Sequence, residues 1–171
     1  GTSPDGKVYK ITSASQSTEF CNPESKYIWA MDFDAADNLY VGTGASGVIY
    51  KVDKGGQKSV FYTCSDNHVV SFLRDGNHNL LAGTSPAGLI VQISPDGKGF
   101  ALMDTPLEEV HALAMDRFGT IYAVASSAKS APSASAPKTD ASSAAGATVS
   151  VTAVIVDSSS GQAEKSRDSK T

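Results

Sequence analysis

The sequence predicts an all-β protein: a β-propeller segment of four-stranded antiparallel blades, followed by a low-complexity tail. Three observations carry this. Asn38–Val52 (NLYVGTGASGVIYKV) recurs as Asn79–Ile93 (NLLAGTSPAGLIVQI), and its second half stands earlier as Gly1–Ile11 (GTSPDGKVYKI), always at an offset of 41 residues. A fixed period of that size, made of short strands, points to a propeller. Within the repeat, Leu39, Leu80 and Ile121 alternate with Val41, Ala82 and Ala123, the period-2 pattern of a packed sheet. Finally, composition breaks sharply: no Phe, Tyr or Trp follows Tyr122, and sixteen of the twenty residues 126–145 are Ala, Ser or Pro.

Each unit reads as four strands. In the first complete one, strand A is Ile28–Phe33, a turn occupies Asp34–Asp37, and strand B is Asn38–Thr43. A second turn at Gly44–Gly47 leads to strand C, Val48–Val52, and strand D lies near Ser59–Thr63. The second unit repeats this as VVSFLR, NLLAGT, GLIVQI and, near Gly99–Met103, GFALM. A third begins with Val110–Met115 and Thr120–Ala125 and there stops; Lys7–Ile11 and roughly Ser17–Cys21 are strands C and D of a truncated first unit.

Residues 1–125 are therefore a partial propeller: strands C and D of one blade, two full blades, and strands A and B of another. Residues 126–171 form an Ala/Ser/Pro-rich linker or insertion, because such composition buries too little apolar surface to offset ordering entropy. One stretch within it, Ala147–Asp157, alternates like a strand seeking a sheet edge. Twelve strands make three blades, and propellers usually have about four to eight. The expectation is a piece of a longer propeller, completed by its remaining blades, or by a second copy in a six-bladed ring.

The repeat columns have local reasons. Asp34, Asp75 and Asp116 open the A–B turn, where Asp bonds its own backbone. Gly6, Gly47 and Gly88 occupy the B–C turn, where positive φ is often needed. Ala30, Ser71 and Ala112 keep one strand A position small, as crowding at a propeller axis would require; Met31, Phe72 and Leu113 are large, as packing between blades would require.

Charge excludes some functions. Residues 1–125 carry nine basic and fourteen acidic groups, with no Lys/Arg cluster, so nucleic acid is not an expected partner. No apolar run reaches the roughly 20 residues of a membrane span. Cys21 and Cys64 read as two unpaired thiols.

The D-x-x-D-N-L-Y-V-G-T run at Asp34–Thr43, with its copies at Asp75–Thr84 and Asp116–Ala125, resembles bacterial WD40-like and NHL-like repeat propellers. It is also similar to the sensor-type propellers of bacterial signalling proteins. The Gly-His and Trp-Asp signatures of strict WD40 repeats are absent. The resemblance implies recognition of a protein or small ligand, with a minority of metal-dependent hydrolases and lyases. Fold alone does not choose among these. The compartment is left open by the sequence, with a lean to periplasmic or secreted.

No catalytic, metal or cofactor motif stands out. Gly42–Gly47 matches the dinucleotide fingerprint, but that fingerprint needs a following helix and VIYKV is a β pattern. Asp32–Asp37 lacks the closing Glu of a calcium loop. His68, His78 and His111 form no ligand spacing beyond Cys64-x-x-x-His68. The strand A column Trp29, Val70, His111 instead varies where its neighbours do not, and Tyr27, His68 and Glu109 vary two residues earlier. Repeat proteins commonly bind through such positions, so these six residues are the candidate binding set at the channel mouth. The expected function is a non-catalytic binding or interaction module, the alternatives being part of a metal-dependent propeller enzyme or a sensor input domain.

Overall fold

Thirteen strands and no helix make up the computed structural model, which describes residues 1–127 and the backbone of Thr152–Val156. A two-stranded sheet comes first, β1 (Val8–Ser13) with β2 (Gln16–Cys21). The first full blade is β3 (Tyr27–Phe33), β4 (Leu39–Gly44), β5 (Val48–Val52) and β6 (Lys58–Thr63), paired antiparallel in that order. The second is β7 (His68–Arg74), β8 (Leu80–Ser85), β9 (Leu89–Ile93) and β10 (Gly99–Asp104), paired likewise. The third sheet holds β11 (Glu109–Met115), β12 (Ile121–Ser126) and β13 (Thr152–Val156).

The strands turn where the sequence supplies a backbone acceptor. One carboxylate oxygen of Asp34 accepts the amides of Ala36 and Asn38, while the other accepts the Asn38 side chain. Asp75 does the same for Asn77 and Asn79, and Asp116 for Phe118 and Thr120. At the B–C turns a threonine hydroxyl spans the turn: Thr43 donates to the Val48 carbonyl and Thr2 to that of Lys7, while Thr84 accepts the Leu89 amide. Gly47 and Gly88 adopt φ of 61° and 69°, and a Cβ on either would overlap the carbonyl of Asp66 or Leu107 in the adjoining D–A loop. Glycine is required there by both conformation and space.

The apolar core lies between sheets. Val69, Leu80, Ala82, Val91 and Ile93 of the second blade pack on Tyr40 and Ile49 of the first. Leu81 and Ile90 on its other side meet Val110, Ile121, Ala123 and Ala125 of the third. Val8 and Cys21 pack with Ile28, Leu39, Val41 and Val52. Two expectations gain detail here. The crowding at the small strand A column comes from the neighbouring A strand: Ser71 lies against the next blade and donates its hydroxyl to the Val110 carbonyl at 2.8 Å. Small residues are needed because adjacent A strands approach so closely.

The third unit also does not end at strand B. β13 pairs antiparallel with β12, setting Val156 opposite Ile121 as Val52 sits opposite Leu39 and Ile93 opposite Leu80. It therefore takes the strand C register, with residues 127–151 standing between B and C where residues 45–47 and 86–88 stand in the other blades. Among the described residues β1 and β2 pair with no strand of another sheet. The parts of Ala147–Asp157 beyond β13, and Ser158–Thr171, lie outside the described residues.

Candidate functional site

Strand A of every blade carries a β-bulge at one column. Pairing steps from Ile28 to Ala30 against Thr43 and Gly42, from Val69 to Ser71 against Thr84 and Gly83, and from Val110 to Ala112 against Ala125 and Val124. Trp29, Val70 and His111 are the extra residues. A bulge frees a residue from the ladder and re-aims its side chain, which gives the variability of this column a physical reason.

Five residues line a cleft of about 280 Å³: Trp29, His68, Val70, Ser85 and Glu109. Four belong to the sequence-derived set. The Tyr27 ring stacks on Trp29, centroids 5.2 Å apart with 20° between planes, and His68 meets Trp29 edge-on at 6.3 Å. Tyr27 thus backs the wall without lining the cleft, and Lys26 sits 5.2 Å from the Tyr27 centroid. His111 is also outside the lining. Its Nδ1 lies 3.5 Å from a Glu109 oxygen and its Nε2 lies 2.6 Å from Ser126 Oγ, so it flanks Glu109.

Neighbouring turns fix these groups. The Ala45 amide donates to His68 Nδ1 at 3.2 Å, so the neutral ring carries its proton on Nε2. A Cβ at Gly44 would run into the Trp29 indole nitrogen and His68 Nδ1, so only glycine lets the indole seat there. The Ser25 hydroxyl holds the Gly44 carbonyl at 2.8 Å. Asp66 does the corresponding work one blade on: its carboxylate accepts the Thr84 hydroxyl at 2.7 Å and the Ala87 amide at 2.9 Å, clamping the turn that begins at Ser85. Trp29 is 48% exposed, and the side chains of Glu109 and His111 are about as open, so the cleft faces solvent.

Ser85 was missed by sequence reasoning. It stands in one column with Gly44 and Ser126, the last residue of strand B, and that column changes between units too. Gly42–Gly47 runs directly into β5, with no helix to receive a pyrophosphate. Among the described residues no group of three or more His, Cys, Asp or Glu is placed to hold a metal ion. Cys21 and Cys64 are free and buried. Burial, with the Asp66 carboxylate adding to it, pushes the Cys64 thiol up to about 12, and burial also raises Cys21. Neither is a thiolate nucleophile near neutral pH.

No protein-family model matches the sequence, and no curated protein matches it. Solved structures do. The chain is similar to one in the nidogen/laminin complex, with a TM-score of 0.60 and 17% identity over 72% of this chain and 51% of that one. It is similar to virginiamycin B lyase from Staphylococcus aureus, with a TM-score of 0.57 and 14% identity over 70% of this chain and 42% of that one. It is also similar to the extracellular domain of a putative hybrid two component system from B. thetaiotaomicron, with a TM-score of 0.57 and 19% identity over 70% and 17%. The chain thus spans about half or less of each. These neighbours are propeller-like, and with the four-stranded antiparallel sheets they establish an all-β, propeller-type fold.

Proposed function

We propose that this propeller segment is a non-catalytic binding module whose cleft takes a positively charged group, from a small ligand or a partner's basic side chain. The observation that carries this is the shared lining of one small cleft by the Trp29 indole and the Glu109 carboxylate. An aromatic face attracts a cation through its quadrupole, and a carboxylate adds charge and hydrogen bonding. At about 280 Å³ the cleft suits a side-chain-sized group. The acidic excess of residues 1–125 favours approach of a cation over an anion.

Kinship with bacterial NHL-like or WD40-like repeats, supported by the Asp34–Thr43 run and its copies, agrees with a recognition role. One further reading has a specific observation behind it: likeness to the extracellular domain of a two component system supports a sensor input role for the same cleft.

Trp29 is the chain's single tryptophan, so its emission reports on this site alone. Titration with N-acetylarginine amide is expected to change Trp29 fluorescence saturably, weaken with added salt, and lose its effect in Glu109→Gln. A response to a neutral disaccharide with none to the arginine probe would refute the cationic ligand. No response to either would sink binding at this cleft.

A further inference from the structure

A second cavity, of about 440 Å³, opens between β1 and the first full blade and is lined by Val8, Tyr9, Phe20, Met31, Phe33 and Leu39 among others. The repeat shows how the matching surface is covered in the other blades. Ile11 is 76% exposed, yet its equivalents Val52 and Ile93 are 0% exposed. Tyr9 is 40% exposed where its equivalent Val91 is 4% exposed. In complete blades the strand C residues are covered because strand B pairs with their edge: Leu39 sits opposite Val52 and Leu80 opposite Ile93. Among the described residues β1 pairs only with β2, which leaves that edge open.

The end of a strand B is already seated beside it. A Cβ on Gly1 would collide with Ile28, as one on Gly42 would with Val69 and one on Gly83 with Val110. Thr2 bridges to the Lys7 carbonyl as Thr43 does to Val48. Gly1 and Thr2 therefore fix the path along which a strand B enters. We infer that the β1 edge and its apolar groove are a docking site for a strand A–strand B hairpin of a further repeat unit, its Leu39-type residue opposite Ile11. A second copy of this chain does not fit the role, since its β4, β8 and β12 already carry β5, β9 and β13 on that edge.

The test copies residues Tyr27–Val41 directly ahead of Gly1 in the full chain, so that the added Val precedes Gly1 as Val41 precedes Gly42. Hydrogen exchange at the amides of β1 should slow about tenfold or more as a strand ladder closes over them. Exchange in β7 and β8 should not change, which confirms that the blades are folded. Replacing the copied leucine, Leu39→Asp in the added hairpin only, should remove the protection. Should the extended chain not fold, a synthetic Tyr27–Gly44 peptide added to the unaltered chain gives the same reading. Unchanged β1 exchange beside an intact second blade would overturn the inference. So would β1 protection in the unaltered chain accompanied by a doubled mass, which would assign the edge to a second copy.

Discussion

Removing the Asp66 carboxylate tests whether the blades and the cleft share one support. Asp66 is 6% exposed and reaches from the loop after β6 into the second blade's B–C turn. Asp66→Ala deletes two charge-assisted bonds to the second blade's turn, each worth about 1.5–3 kcal/mol, together with the local bond that the Asn67 amide donates to the other carboxylate oxygen. Thr84 keeps an alternative acceptor, the Leu89 carbonyl at 3.2 Å, whereas the Ala87 amide is left without its partner. Relief of the buried charge offsets part of the loss. The net expected cost is about 2–4 kcal/mol, against about 1 kcal/mol for Ser25→Ala, which removes a single neutral bond in the corresponding place one blade earlier. Asp66→Asn retains one oxygen acceptor and should fall between the two. Urea unfolding followed by circular dichroism and by Trp29 emission measures all three. Because the clamp also holds the turn beginning at Ser85, Asp66→Ala should weaken ligand-induced Trp29 changes at temperatures where the chain is folded. A cost below about 1 kcal/mol for Asp66→Ala would refute the bridging argument.

Two further predictions concern turns. Gly47→Ala should cost about 2 kcal/mol or more in urea unfolding, since φ is 61° and the new Cβ meets the Asp66 carbonyl, while Gly76→Ala, with nothing within 4 Å, should stay within about 0.5 kcal/mol. For pH, burial raises the Asp34 carboxyl, but bonds from Asn38 and the Ala36 amide and the charge of Lys51 outweigh it, leaving it below 3.8. The Thr120 amide is the main cause holding Asp116 below 3.8 as well. Depressed folded values mean that this stability is fully present above about pH 4 and is lost as pH falls through the folded values. Thermal unfolding should show a downward step over that range, smaller in Asp34→Asn and Asp116→Asn; a step of unchanged size in both variants would refute the assignment.

The strand columns were legible because each turn repeats its chemistry: Asp34, Asp75 and Asp116 mark one end of the unit, Thr43 and Thr84 the other. Observed strands differ from the sequence reading mostly by a residue at their ends, as with Leu39–Gly44 against Asn38–Thr43. The bulges were not legible, because an extra residue present in every unit leaves the 41-residue offset intact. Its trace was only the chemical variability of Trp29, Val70 and His111. β13 was legible as a strand from the alternation in Ala147–Asp157, but its place in the blade was not: residues 127–151 break the offset, so Thr152–Val156 cannot be aligned by period, and its register emerges only from pairing with β12. That Ser71 should be small was legible, but not its bond to the Val110 carbonyl, because the sequence does not show which backbone group the neighbouring strand presents.

The bulge column has a consequence for how this molecule can change. At Ile28, Ala30 and their counterparts, a substitution alters a ladder pair, a core contact, or both. At Trp29, Val70 and His111 it alters no ladder pair, because the backbone there has stepped out of register with strand B. Each blade thus offers one position whose identity touches the side chains around it but not the pairing of the sheet. Selection, or a protein engineer, can change the side chain at this column one blade at a time while the strand pairing stays constant.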